Sequence, residues 1–131
     1  MELIDTYITQ IADDLKFDDM NCKDMQMRLP GRKHYWVSRL ITHKRDLEHL
    51  KKKKDSIYSE LTKRLIEESP VALSRNDILA KISNLDQVKN INSQIRELEL
   101  VIELLEKTEK TFSETIYSIK NVVELMKLEQ L

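Results

Sequence analysis

The residues with the clearest chemical potential lie between positions 28 and 64. Twelve basic side chains (Arg28, Arg32, Lys33, Arg39, Lys44, Arg45, Lys51, Lys52, Lys53, Lys54, Lys63 and Arg64) face only four acids (Asp46, Glu48, Asp55 and Glu60), so this segment carries +8. Residues 1–27 carry −5 and residues 65–131 carry −4, and the chain as a whole carries −1. The near-neutral total therefore conceals a concentrated positive field that attracts polyanions. Lys51 to Lys54 are contiguous, and on a helix they fan out at 100° steps, with Lys54 turned toward an apolar seam and the others outward. Tyr35 and Trp36 follow Arg32 and Lys33 with only His34 between them, and Tyr58 lies between the lysine run and Lys63-Arg64. Cations that follow phosphates and aromatic faces that stack on bases are what single-stranded nucleic acid requires. The same residues admit a plainer reading: the lysines as a solvated helix face, and Trp36 as a core anchor at the start of a helix.

Other chemistry finds little support. His34, His43 and His49 are nine and six residues apart, so no pair has the one-turn spacing with which two imidazoles on a helix hold a metal. His43 falls on the apolar seam and reads as a polar register element. The doublets Asp13-Asp14, Asp18-Asp19 and Glu67-Glu68 read as ordinary solvated positions. Cys22 is the only cysteine, which excludes an intrachain disulfide or a multi-cysteine metal site and suits a reducing compartment. There is no glycine-rich phosphate loop and no activated-nucleophile motif. No enzymatic activity, cofactor or metal is expected.

The elements that carry the basic residues follow from composition and period. One glycine, two prolines, 5% aromatics and 34% charged residues in 131 leave little material for β-turns and point to an all-α chain of long helices with coiled-coil-like seams. Ile4, Ile8, Ile11 and Leu15 predict a short N-terminal docking helix. The acidic stretch from Phe17 to Pro30 reads as a linker or extended arm. From about Lys33 to Ser69, the positions Leu40, His43, Leu47, Leu50, Lys54, Ile57, Leu61 and Arg64 alternate in steps of three and four, the pattern of a heptad seam, and Pro70 is expected to end this helix. Ser74 followed by Asp77 predicts an N-cap opening a short helix through Ile78, Leu79 and Ile82, with a joint at residues 83–86. From about Asp86 to Leu128 the same alternation runs through Val88, Ile91, Ile95, Leu98, Ile102, Leu105, Glu109, Phe112, Ile116, Ile119, Val123 and Met126. The expected organisation is a single elongated helical domain: an N-terminal helix and arm over 1–29, a basic helix over 30–69, a connector with a short helix over 70–85, and a C-terminal helix over 86–131.

At 1.5 Å per residue the two long helices would measure about 55 and about 65 Å. A second apolar stripe on the last helix, Val101, Leu104, Thr108, Thr111, Thr115, Val122 and Leu125, would stay wet in a lone hairpin. Surface of that extent usually meets another subunit. Homo-oligomerisation through the C-terminal half is therefore expected, with Ile95, Leu98, Ile102, Leu105, Phe112, Ile116, Ile119 and Val123 at the interface. The N-terminus lacks the basic start and apolar run of a secretion signal, and no stretch reaches the roughly 20 apolar residues of a membrane span. A cytoplasmic location without a membrane partner is expected.

Taken together, the acidic N-terminal part, the Leu29-Pro30 lead-in, the aromatic and basic opening of a long helix, Leu61-Thr62-Lys63-Arg64-Leu65 and the heptad C-terminal helix resemble the UvsY-type recombination mediator proteins of tailed phages. The resemblance covers roughly residues 18–131. The family motif is a leucine, a lysine, one intervening residue, an arginine and a leucine, whose two basic residues contact DNA. Leu61, Arg64 and Leu65 match it; Thr62 stands at the lysine position, and Lys63 supplies a charge one residue later, rotated by about 100°. The resemblance implies a ring-like homo-oligomer, a hexamer or heptamer, working in the cytoplasm of an infected bacterium. It implies binding to single-stranded DNA coated with the phage single-strand-binding protein, and help in loading a phage RecA-like recombinase during recombination, repair and replication. Arg64, Lys63, Lys51 to Lys54, Arg45 and Lys44 are then the expected phosphate contacts, with Tyr58, Tyr35 or Trp36 as stacking faces. A structural or chaperone-like helical scaffold whose lysines only solubilise it is the alternative. A protein of anionic membrane surfaces is a third reading, weakened by the absence of a broad free apolar face.

Overall fold

The computed structural model describes residues 2–18, 20–69 and 71–130. These residues form four helices and no strands: α1 (Glu2–Asp14), α2 (Cys22–Glu68), α3 (Arg75–Ser83) and α4 (Asp86–Glu129). They divide into two compact units, residues 1–43 with 100–131 and residues 44–99. Asp19 and Pro70, the latter expected to end the basic helix, lie outside the described residues; α2 itself ends at Glu68.

The start of α2 departs from the expected arm. The helix begins at Cys22 and runs through Pro30 and Gly31. A reciprocal pair of bonds closes the turn just before it. Asp18 Oδ1 accepts from the backbone N–H of Met20 at 2.8 Å and of Asn21 at 3.1 Å, and Asn21 Oδ1 accepts from the Asp18 N–H at 2.8 Å. The N–H groups this pair satisfies belong to the turn that leads into the helix. A proline and a glycine inside a helix cost about 3 and about 1 kcal/mol. Full burial of Met25 and Leu29, at 0% exposure each, returns roughly 1.5–3 kcal/mol apiece, and Cys22 at 1% adds to it. Cys22, Met25 and Leu29 continue the three- and four-residue period of the seam toward the N-terminus, so tertiary burial outweighs the two helix breakers. Met20 and Met27, off that period, are exposed.

In the first unit, the N-terminal part of α2 runs antiparallel to the C-terminal part of α4. Cys22 Sγ lies 3.5 Å from Met126 Sδ, and Lys33 Nζ lies 3.7 Å from Glu109 Oε1. Helix α1 docks with Tyr7 and Ile11 inward. The expected stripe named Ile8, which is 49% exposed, whereas Tyr7 is 5% exposed. The inward face is selected by aromatic packing: the Tyr7 ring meets Trp36 edge-on at 5.1 Å, and its hydroxyl lies 2.9 Å from His43 Nε2. Asp14, at the end of α1, accepts from Arg32 Nε at 2.9 Å and from Trp36 Nε1 at 2.8 Å through the same carboxylate oxygen. Burial raises the Tyr7 pKa, the neighbouring Arg39 charge partly opposing it.

In the second unit, Ser74 is the N-cap of α3, as its spacing to Asp77 predicts, with its hydroxyl accepting from the Asp77 N–H at 3.1 Å. Leu61, Ile78, Ile82 and Val88 form a buried cluster, flanked by Ile57, Tyr58, Leu65 and Leu73. Helix α4 restarts after Leu85, whose carbonyl accepts from the N–H groups of Val88 and Lys89.

The positions of the α4 period are all buried or half-buried within the single chain. Ile95, Ile102, Leu105, Phe112, Ile119 and Val123 are each at most 7% exposed within the single chain, and Leu98 and Ile116 are half-buried. Of the eight residues expected to join copies, six are thus buried within the single chain and two keep part of their surface. A three- and four-residue stripe has the same form whether its partner helix belongs to the same chain or to another, so period alone does not distinguish the two. The apolar residues that α4 leaves exposed are Leu100, Tyr117, Leu125 and Leu128.

Candidate nucleic-acid interface

The basic residues of the second unit sit on an uninterrupted stretch of α2, whose backbone groups are satisfied within the helix. Lys44, Arg45, Lys51, Lys52, Lys53, Lys63 and Arg64 are all exposed. Lys54, on the seam, is half-buried, and its Nζ lies 5.6 Å from the centre of the Tyr58 ring. This cation–π contact steers the ammonium along the helix surface. Tyr58 is itself half-buried against the Leu61, Ile78, Ile82 and Val88 cluster, so one side of its ring belongs to the core.

Arg64 and Lys63 differ in their surroundings. The Arg64 guanidinium lies 3.4 Å from Glu60 Oε1, one turn earlier, with both side chains more than half exposed. An exposed pair of this kind is worth at most about 1 kcal/mol, so a phosphate can displace the glutamate. Lys63 lines an open groove of about 800 Å³ with Tyr58, Thr62, Ile66, Leu73, Arg75 and Leu79. Thr62 is half-buried while Lys63 is exposed. At this helix position the outward-facing charge is therefore on Lys63.

The aromatic residues of the first unit are placed differently from one another. Trp36 is 1% exposed, with its indole N–H held by Asp14. Of the two sequence readings it takes the core-anchor one, and a base cannot reach its faces; a side chain of this size at the α1–α2 contact is worth most when fully desolvated. Tyr35 is half-buried. Its ring lies 4.5 Å from the Arg32 guanidinium and 5.3 Å from that of Arg39, and Arg39 Nε donates to its hydroxyl at 3.3 Å. That hydrogen bond raises the Arg39 pKa further above its already high ordinary value. Arg28, Arg32 and Arg39 contribute to the charge of the segment, but no motif of the sequence marks them as contacts. Their 28, 32, 35, 39 spacing with Tyr35, three and four residues per step, was the available signal.

His43 meets Tyr7, in keeping with a polar element on the seam. Among the described residues no group of three or more His, Cys, Asp or Glu side chains is placed to hold a metal ion, and no helix is long and apolar enough to cross a membrane.

No family model and no curated protein sequence matches the chain. Solved structures do. One crystal structure of the bacteriophage T4 recombination mediator protein UvsY superimposes with a TM-score of 0.79 over 96% of this chain and 98% of that one, at 11% identity. A second crystal form of the same protein gives 0.80 over 97% of each chain at 10% identity. Over nearly its whole length, this chain has the fold of the bacteriophage T4 recombination mediator UvsY.

Proposed function

We propose that the protein is a non-enzymatic recombination mediator that binds single-stranded DNA and helps load a RecA-like recombinase onto strands coated with single-strand-binding protein. The observation that carries this reading is the full-length fold likeness to a recombination mediator, combined with a row of exposed cations at 44–64 that has few acidic neighbours. The contacts are Lys44, Arg45, Lys51 to Lys54, Lys63 and Arg64, and Tyr58, half-buried beside Lys54, can meet a base only if the Lys54 ammonium moves off its ring to a phosphate. Sequence-independent phosphate contacts suit a loader that acts anywhere along a strand. The protein works as a ring-like homo-oligomer of six or seven copies in the cytoplasm of an infected bacterium, where repeated weak contacts multiply into avidity. Copies meet through the α4 stripe Tyr117, Leu125 and Leu128, which the single chain leaves exposed.

Fluorescence anisotropy with a labelled single-stranded oligonucleotide tests the reading. The logarithm of the binding constant should fall with the logarithm of salt by about 0.7 for each phosphate neutralised. Lys63→Ala with Arg64→Ala should reduce that slope while sedimentation shows unchanged assembly. Absence of binding, or a slope of zero, refutes the mediator and leaves the helical scaffold.

A further inference from the structure

The first unit carries a second cationic feature, separate from the lysine run. Arg28, Arg32, Tyr35 and Arg39 recur at intervals of four, three and four residues, which aligns them along one side of α2. Tyr35 holds two of the three guanidiniums against its ring, and through its hydroxyl it fixes the Nε edge of Arg39. The terminal nitrogens of Arg39 remain available as donors. Arg32 is neutralised by Asp14 at 2.9 Å. Among the described residues Arg28 meets the Met25 sulfur, at 3.0 Å, and neither Arg28 nor Arg39 has a carboxylate partner there. Both are exposed. A guanidinium held in a fixed orientation loses less side-chain entropy on binding an anion than a free one.

Building on the function proposed above, we infer that Arg28 and Arg39 are phosphate contacts for single-stranded nucleic acid, with Tyr35 as the positioning residue that presents Arg39. The two arginines are eleven residues apart, roughly 16 Å along the helix. They therefore engage separate phosphates. Tyr35 acts through Arg39 rather than as a stacking face, because guanidiniums already occupy its ring.

The test is anisotropy titration of the full chain with a labelled oligothymidylate strand over a range of salt. Arg28→Ala with Arg39→Ala should lower the salt slope by about 1.4, and at about 0.1 M salt weaken binding about 25-fold, the effect of two lost phosphate contacts. Arg28→Gln with Arg39→Gln, which keeps part of each side-chain stem, should give the same loss of slope. Trp36 fluorescence and circular dichroism identify a variant that has failed to fold. Tyr35→Ala should weaken binding several-fold with an unchanged slope, since no charge is removed, and Tyr35→Phe should fall between it and the unaltered protein. If the unaltered protein binds but both double variants retain its slope and affinity, the inference is overturned and the mediator reading stands. If Tyr35→Ala binds like the unaltered protein, the positioning role is overturned. If the unaltered protein does not bind the strand, both proposals fall.

Discussion

Asp14 is the most economical place to test how α1 is held. One carboxylate oxygen accepts from Trp36 Nε1 at 2.8 Å and from Arg32 at 2.9 Å. Asp14→Ala removes both acceptances. The Arg32 side chain is 34% exposed, so water re-solvates its guanidinium and the lost ion pair accounts for no more than about 1 kcal/mol. Trp36 is 1% exposed, and its stranded N–H carries a desolvation penalty of about 1–3 kcal/mol. The expected loss is therefore about 1–4 kcal/mol, most of it from the indole. Asp14→Asn keeps an acceptor for the indole and should lose only about 1 kcal/mol. Trp36→Phe removes the donor, so a double-mutant cycle with Asp14→Ala should show a coupling of at least about 1 kcal/mol. Trp36 is the only tryptophan, so its emission reports on the first unit directly. Urea unfolding followed by that emission, and by circular dichroism for the variants lacking it, gives the numbers at one fixed protein concentration. Equal small losses for Asp14→Ala and Asp14→Asn, with no coupling, would refute the assignment of the indole bond as the main contribution.

Further outcomes follow from single sites. Gly31 lies inside α2 without a positive φ, and an added Cβ would meet nothing within 4 Å; Gly31→Ala should raise stability by about 0.5–1 kcal/mol in the same urea assay. Ser74→Ala removes the α3 cap and should cost about 1 kcal/mol, read by circular dichroism. The Tyr7 pKa is raised in the folded chain, so the unfolded chain loses this proton first. Its contribution is intact below the ordinary tyrosine pKa and declines as pH rises through that value and up to the folded one. Tyr7→Phe should lower stability at neutral pH through loss of the His43 contact, yet flatten the alkaline decline in melting temperature. Because Ile102 is buried within the chain, Ile102→Asp should unfold the protomer rather than release intact subunits, as circular dichroism and sedimentation together would reveal.

Much of the architecture can be read from residue order alone. The α4 alternation picks out positions that are all buried or half-buried, from Val88 to Met126, because a helix has one period and a stripe on it has one direction. Ser74 and Asp77 mark a helix start because capping is a contact between neighbours in sequence. The positive character of residues 28–64 is likewise a matter of composition. Asp18 and Asn21 also form a local signal, though Pro30 and Gly31 masked it. Other features needed the third dimension. Whether Met25 and Leu29 could carry α2 through those two residues depended on how completely they would be buried. Whether Trp36 faced bases or Asp14 depended on where α1 docked. How much of the α4 stripe is covered within one chain depended on how the other helices pack. Period and charge specify what a surface seeks, while the surface it meets is decided only when distant segments pack.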